Sequence, residues 1–570
     1  MSLFSSLQMA GNTLQAMQIG LQVVGNNIAN ANTPGYVRER AVFAPAPVQK
    51  LGNLTLGLGV EITGIVQIID KFAEERLRDA GGDRASAEAQ EAAYRNLEVI
   101  LNPLGDANIS TKLTDFFNAI QLINQKPEEP AHRNLAISAG EELAQTILTT
   151  RRRIDTEFGN LNTRVSQLAD EINTVSEEIR QLNLRIVQIE GGGASGSDAG
   201  GLRSQRSNAM KRLAEIADVD INESGRGVVN ISLNGRFLVF EGTRQEVVSE
   251  QNGDSGTVNN RIVFADDGGE LIVSGGELGG IYEARDNILG GFLTGLDEFA
   301  GALAFEFNKA YSQGQGEVGF TSLTGTYQVD DPQAALDAAG LDFAPQQGEF
   351  NVLIHNKNID GNGDTVRQTI KVDLLGTDGS PTTLTSLAAQ LDAISGITAS
   401  VSLDNKLVIN SESPADIEFS FEKDSSGVLA ALGVNTFFTG SNARDLGVNQ
   451  EILSDGKKFA ASLNGINVDA DNALQLSEIQ DKILSGQDGQ SIVGIYKELI
   501  DMTTQGATTT ASVADGLRIF EGTLQAEAQS VSGVNLDEEA IDMIQLQRAF
   551  QASARYISTL SDLLDLLVNL

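Results

Sequence analysis

The sequence predicts a mainly α chain with inserted β-rich domains. It has paired terminal coiled-coil helices, an elongated helical rod domain and an α+β domain inserted mid-chain. Three observations carry this. Apolar residues alternate in 4-3 steps at both ends of the 570 residues. A third 4-3 series runs through Ile154, Phe158, Leu161, Val165, Leu168, Ile172, Val175, Ile179, Leu182, Ile186 and Ile189. Between about 320 and 450 the period changes to two, among glycines. The expected order is a core helix and connecting loop at 1–60, and a rod at 61–319 with a β-rich excursion at about 219–282. An insert at 320–452, a return of the rod at 453–530 and a second core helix at 531–570 follow.

The first 37 residues contain no charged side chain, and Arg38 is the first. Leu3, Leu7, Ala10, Leu14, Met17, Leu21, Val24 and Ile28 alternate 4-3 and mark one seam of a coiled-coil helix. Gln8, Asn12, Gln15, Gln18 and Gln22 interrupt the run too often for a membrane span. A basic start and a continuous apolar stretch, the marks of a signal peptide, are also missing. Uncharged outer faces suit a helix enclosed in an assembly, where unpaired charge is costly. The helix must stop near Asn26-Asn27, because Pro34 cannot continue the ladder and Pro34-Gly35 suits a type II turn.

In the body, helices fit 70–101, 111–125, 141–190, 202–217 and 286–311, with Gly191–Gly201 as a flexible link. Asn234-Gly235 sits between apolar runs as a hairpin turn, and Asp404-Asn405 repeats the signal. Val366, Gln368, Ile370, Val372 and Leu374 share one face of a strand, and Ile417, Phe419 and Phe421 alternate again. A short helix fits Leu384–Ile394, and a helical pattern returns through 491–530.

At the far end Leu536, Met543, Phe550, Ile557 and Leu564 recur every seven residues, with Leu546, Leu560 and Leu567 three further on. Asn535 is the expected N-cap, and Asp537, Glu538 and Glu539 favour the positive end of the helix. Two heptad helices at opposite ends most simply pair with each other.

The segment Asn26-Asn27-Ile28-Ala29-Asn30-Ala31-Asn32-Thr33-Pro34-Gly35-Tyr36 resembles the N-terminal signature of the bacterial flagellar axial proteins, which include rod, hook and hook-associated members. Ser532–Glu539, Gln547–Arg555 and Ile557-Ser558-Thr559 look like the matching C-terminal signature. Gly275–Ile281, Arg285-Asp286-Asn287 and Leu429–Ser441 look like the hook-associated branch; Tyr311 stands where many relatives would carry His. The resemblance implies a structural adaptor, not an enzyme, joining hook to filament. Its implied partners are other copies in a ring or helical assembly, the hook protein, the next hook-associated protein, and an export chaperone on the C-terminal helix. It also implies an extracellular, flagellar location reached by type III export without a cleaved signal. Within it, Asn27, Asn30, Asn32, Thr33, Pro34, Gly35 and Tyr36 form the signature turn. The seam residues above form the assembly interface. Neither terminal helix can bury its seam alone, so disordered ends are expected in the free chain.

Composition agrees with an absence of chemistry. Lys and Arg number 40 against 77 Asp and Glu, a net charge of −37, which disfavours nucleic acid and anionic membranes as partners. With no cysteine and two histidines, thiolate sites and His-rich metal sites are not expected. No cofactor is expected. Gly191/Gly193/Gly196 and Gly314/Gly316/Gly319 match G-x-G-x-x-G, but both follow helices where dinucleotide binding needs a strand. Asp360–Asp364 starts like a calcium loop, yet Thr365 and Lys371 replace the required Gly and Glu. His132 reads as a loop residue and His355 as a strand end, neither as a ligand. The alternative function is a surface adhesin with a coiled-coil stalk and residues 320–450 as its binding head.

Overall fold

The computed structural model describes residues 3–51, 54–101, 105, 108–191, 196–225, 227–253, 259–358, 365–377, 379–484 and 489–568. The Asp360–Asp364 turn, Gly193 and the Leu567 side chain lie outside them. The helices in chain order are α1 (Leu3–Asn30), α2 (Lys71–Leu101), α3 (Ile109–Gln125), α4 (Pro130–Glu190), α5 (Gly200–Ile216), α6 (Gly276–Glu283) and α7 (Gly290–Tyr311). They continue with α8 (Leu384–Asp392), α9 (Val428–Leu432), α10 (Gln450–Ser454), α11 (Asp471–Glu478), α12 (Ile492–Ser532) and α13 (Leu536–Val568). The fold is mainly α with inserted β regions.

The chain divides into two compact units, each built from discontinuous segments. The first comprises Met1–Ala93, Gly159–Arg285 and Thr508–Leu570. Its main core sets Val165, Leu168, Ile172, Val175 and Ile179 of α4 against α5 and an antiparallel sheet. That sheet runs Asp220–Glu223, Val229–Leu233, Arg236–Phe240 and Thr243–Arg244. Leu233 pairs with Arg236 across Asn234 (φ 47°) and Gly235 (φ 81°). Both backbones are left-handed, as a type I′ hairpin requires. Elsewhere in this unit α2 meets α12 through Ala73, Leu77, Ala80, Leu524 and Ala528. Ion pairs flank that contact: Arg84 to Glu521 at 2.5 Å, and Arg518 to Glu88 at 2.8 Å and to Glu91 at 2.5 Å.

The second unit comprises Tyr94–Phe158 and Asp286–Ala507. Phe116, Phe307, Phe437 and Phe438 interlock with ring centroids 4.8–5.5 Å apart. Beside them Tyr311 is fully buried and its hydroxyl accepts the Ala460 N–H at 3.0 Å, so this position is a core anchor. The insert holds two three-stranded antiparallel sheets, centred on Gly348–Asn356 and on Leu407–Ser411. They share a core with α8 that includes Phe350, Val352, Leu387, Leu391, Ile409, Phe419 and Phe421.

Several details depart from the sequence reading. α4 is 61 residues long and begins at Pro130, where a missing N–H costs nothing. His132 therefore lies in a helix, not a loop, 3.1 Å from Glu129. The stripe on α4 frays at its end: Ile189 is exposed. The predicted 286–311 helix starts earlier, at α6, and passes through a π-helical turn at Ala284–Leu289. The Gly191–Gly201 link is pinned at its described end. Gly196 and Gly64 meet backbone to backbone with no room for a Cβ on either, and Asp198 N–H bonds to Ile65 O at 2.8 Å. Of the predicted strand face, Ile370, Val372 and Leu374 are buried while Val366 and Gln368 are exposed. His355 does stand at the end of its strand, Gly348–Asn356, and is buried between Thr365 and Ser420, at 2.9 Å from each hydroxyl. Beside Gly314 and Gly316 the space a ligand would need is filled by Asn472 and by the Lys457–Lys458 backbone.

Candidate assembly site at the paired termini

α1 and α13 pack along one another within a single chain. The two terminal heptad helices thus lie against each other, the pairing expected of them. On α13 the face turned inward is the predicted seam: Leu560 is buried, and Met543, Leu546, Phe550, Ile557 and Leu564 are half-buried. Leu536, at the first turn, is half exposed.

On α1 the fully buried residues coincide with the predicted seam only at Ala10 and Val24. Ser6, Ala10, Ala16, Gly20, Val23 and Asn27 are buried, together with Val24. Leu3, Leu7, Leu14, Met17, Leu21 and Ile28 flank this stripe, half-buried. α1 packs on α13 and also on the strands Glu39–Pro45 and Val60–Gln67, so its burial follows more than one neighbour. At Gly20 an added Cβ would stand 3.1 Å from the Phe43 ring and 3.2 Å from a Leu546 methyl. Periodicity marked Ala10 and Val24 among the buried residues and passed over Ser6, Ala16, Gly20, Val23 and Asn27.

A polar clasp joins the ends of the two helices. Asn27 is 1% exposed, and its side chain satisfies four partners. Its amide donates to Glu39 O at 2.8 Å and to the Glu539 carboxylate at 3.1 Å. Its carbonyl oxygen accepts the Tyr36 hydroxyl and the Glu39 N–H, both at 3.0 Å. Arg38 completes the clasp, with Nε 2.6 Å from Glu539 and Nη1 2.9 Å from Glu538. Burial works against the Arg38 charge, but the two carboxylates outweigh it and its pKa is raised. Burial, aided by the negative charges of Glu39 and Glu539, pushes the Tyr36 hydroxyl up to about 12, so it stays a donor. Burial also raises the Glu39 carboxyl, and Asn26 partly offsets this. Asn535 caps α13 as expected, accepting the Asp537 N–H at 3.0 Å.

The signature turn has its own logic. Asn30 bonds back to Asn26 O at 2.9 Å, and Tyr36 N–H closes on Thr33 O at 3.2 Å. Gly35 sits at φ 71°, the third position of a type II turn, with the Asn208 side chain where a Cβ would project. Asn32, Thr33, Pro34 and Gly35 are exposed. A groove of about 420 Å³ runs beside the clasp between Gly20, Val24, Arg38, Phe43, Glu539 and Leu546.

Sequence reasoning missed Arg38 and Gly20 as parts of this site. One signal pointed to Arg38: it breaks a long uncharged run, and acids cluster at the start of the other terminal helix. The site holds apolar seams, amides and one ion-paired cluster. Among the described residues no group of His, Asp and Glu side chains is arranged to hold a metal.

Comparison with known proteins follows the same segments. Residues 94–322 match the flagellar hook-associated protein FlgK helical domain. Residues 7–36 match the flagella basal body rod protein family, and 525–570 the flagellar basal body rod FlgEFG protein C-terminal family. Flagellar hook-associated protein 1 of Escherichia coli K12 is 26% identical, over 99% of this chain and all of that relative. Its namesake in Bacillus subtilis is 23% identical, over 100% of this chain and 98% of that relative. In fold, the chain is similar to the flagellar hook junction protein FlgK from Burkholderia pseudomallei. The TM-score is 0.50 at 16% identity, covering 80% of this chain and 100% of that one.

Proposed function

We infer that this chain belongs to the flagellar hook-associated protein 1 family and is a structural part of the bacterial flagellum, joining the hook to the filament. One observation carries the mechanism: the clasp of Asn27, Arg38 and Glu539 binds the N-terminal signature to the C-terminal one. A paired, largely uncharged α1 and an α13 with exposed apolar side chains form a unit suited to stacking against further copies. Burial of such surface at about 25 cal/mol per Å² supplies the association energy. The net charge of the whole chain, −37, keeps unassembled copies apart in solution.

The role requires neither a catalytic group nor a cofactor. The hook protein and the next hook-associated protein are the expected neighbours, and α13 is the segment an export chaperone would cover. Export without a cleaved signal belongs to the same reading. The named relatives are flagellar throughout, which leaves the adhesin alternative without support. The test is deletion of residues 1–30 or 540–570 in cells lacking their own copy. Each product should be found outside the hook–basal body, and swimming should be lost; normal incorporation would overturn the proposal.

A further inference from the structure

The two sheets of the insert differ at their edges. In the first the strands run in the order Thr365–Val372, Gly348–Asn356, Ile417–Glu422; in the second, Ser322–Thr324, Leu407–Ser411, Ile397–Val401. An outermost strand presents a row of N–H and C=O groups that another chain can pair with, so proteins usually cover it or keep it short. On Ile417–Glu422 the outward row is occupied. Phe419 exchanges two bonds with Phe320, at 2.8 and 2.9 Å, Ile417 N–H bonds to Ser413 O at 2.8 Å, and the Gln315 amide donates to Phe421 O at 2.6 Å. On Ile397–Val401 the N–H of Ile397 goes to Ile394 O at 3.4 Å and that of Ala399 to the Asp392 carboxylate at 3.0 Å. Ser322–Thr324 is only three residues long.

The fourth edge, Thr365–Val372, is eight residues long. Just past its neighbour's end, Lys357 N–H reaches Asp416 O at 2.8 Å, so the odd-numbered residues of Gly348–Asn356 turn their backbone groups towards Ile417–Glu422. The even-numbered ones bond to Val366, Gln368, Ile370 and Val372. The backbone groups of Arg367, Thr369, Lys371 and Asp373 therefore point outward. Asp373 obeys this parity: its C=O accepts the Thr382 N–H at 2.7 Å and its N–H donates to the Thr382 hydroxyl at 2.9 Å. No described residue caps Arg367 and Thr369 in this way, and Val366, Arg367, Gln368 and Thr369 are all exposed.

The side chains of the open row select the partner. Arg367 and Lys371 stand on one face, with Thr369 between them. In the antiparallel registers centred on residues 367 to 370, a second copy of this strand would set Arg367 opposite or diagonal to its own Arg367 or Lys371, which is unfavourable. A strand with carboxylates four residues apart answers both cations instead, with a hydroxyl residue opposite Thr369. Arg367 already holds the buried Glu422 through Nε and Nη2, yet its side chain is 57% exposed and keeps donors for a second carboxylate. We propose that the outer edge of Thr365–Val372 is a docking site for an extended acidic segment of another protein, which adds to the sheet as an antiparallel strand. The attraction is local, since at physiological salt the charges of the rest of the chain are screened beyond about 8 Å. The site lies in the second unit and does not rest on the assembly role.

The experiment titrates the full chain into a fluorescein-labelled peptide, Glu-Val-Thr-Val-Glu-Val-Thr, at about 0.15 M salt and follows the anisotropy. Saturable binding is expected, and its absence would overturn the proposal. Methylating the Glu and Thr amides, which face the edge in an antiparallel addition, should weaken binding more than about ten-fold. Exchanging both Glu for Lys should do the same. Unchanged affinity in the first case would show that no strand is added, and in the second that the partner is not acidic; either overturns the proposal. On the protein side, Thr369→Pro removes only an outward N–H and is tolerated on an edge, so its melting should match the parent. Its affinity for the peptide should fall more than about ten-fold, while Thr369→Val stays within about two-fold. Amide exchange gives a readout on the unaltered chain: the Arg367 and Thr369 amides should exchange rapidly when free and slow more than about ten-fold with peptide bound. Slow exchange in the free chain, or no slowing on binding, would overturn the assignment of this edge.

Discussion

The amide of Asn27 donates a 3.1 Å hydrogen bond to the carboxylate of Glu539, 512 residues further along the chain. Both side chains are 1% exposed, and Arg38 neutralises the carboxylate from the other side at 2.6 Å. A buried charged cluster stabilises little against water, but removing one member leaves the others unsatisfied. Its contribution is therefore to register, since a slip of either helix breaks the Asn27–Glu539 bond.

Glu539→Gln tests that role. Arg38 keeps Glu538 and some solvent, so the loss should be about 2 kcal/mol, below the usual cost of opening a fully buried pair. Amide exchange in the second half of α1 and the first half of α13 should then accelerate roughly thirty-fold. Exchange in the α4–α5 core of the same unit should not change. An unchanged rate at the termini would show that the clasp holds nothing.

Gly20 offers a pair of substitutions with opposite outcomes. Alanine adds about 1 kcal/mol of helix propensity against a contact that needs only a small shift of Phe43 and Leu546. Gly20→Ala should therefore leave the stability of the pair within about 1 kcal/mol of the parent. Gly20→Leu overfills the contact and should cost about 2–3 kcal/mol, with lower protection along both helices. Equal behaviour of the two variants would mean that α1 and α13 do not approach closely here.

Ile557→Asp places a carboxylate in the half-buried seam of α13, facing an uncharged α1. The expected result is loss of swimming and of incorporation, with the protein still folded in its α4 and insert cores. Wild-type swimming would argue that this stretch of the pair is not needed.

His355 gives the insert a pH dependence of defined sign. Burial lowers its pKa to about 4, with Glu422 opposing the shift. The unfolded chain takes up a proton near pH 6.5, the folded chain only near 4, so stability is complete above 6.5 and falls as the pH drops towards 4. The full loss is about 3 kcal/mol. Thermal melts of the full chain between pH 7 and 4 should show the transition of the 286–507 unit falling across that range. His355→Asn should flatten this fall.

Much of the architecture is legible from local signals. The 4-3 series of α4, the Asn234-Gly235 hairpin, the Asn535 cap and the α8 helix are each set by residues close in sequence. The misses share a cause. The π-turn at Ala284–Leu289 and the pinned end of the glycine link depend on what packs against them: buried Arg285 beside Asn162 and Asn260 in one case, the strand Val60–Gln67 in the other.

The sequence by itself determined that both ends are amphipathic helices, that an uncharged run precedes Arg38, and that the middle is β-rich. It also carried the two flagellar signatures. Only the tertiary structure decided that Gly20 of α1 packs against Leu546 of α13 and the Phe43 ring. It alone showed that Arg38 serves Glu539 and that one side of α13 stays open. Helical period is a property of consecutive residues and can be read from them. Which side is filled, and by whom, depends on closing a loop of more than five hundred residues, and steric fit at that closure is not encoded in any local pattern.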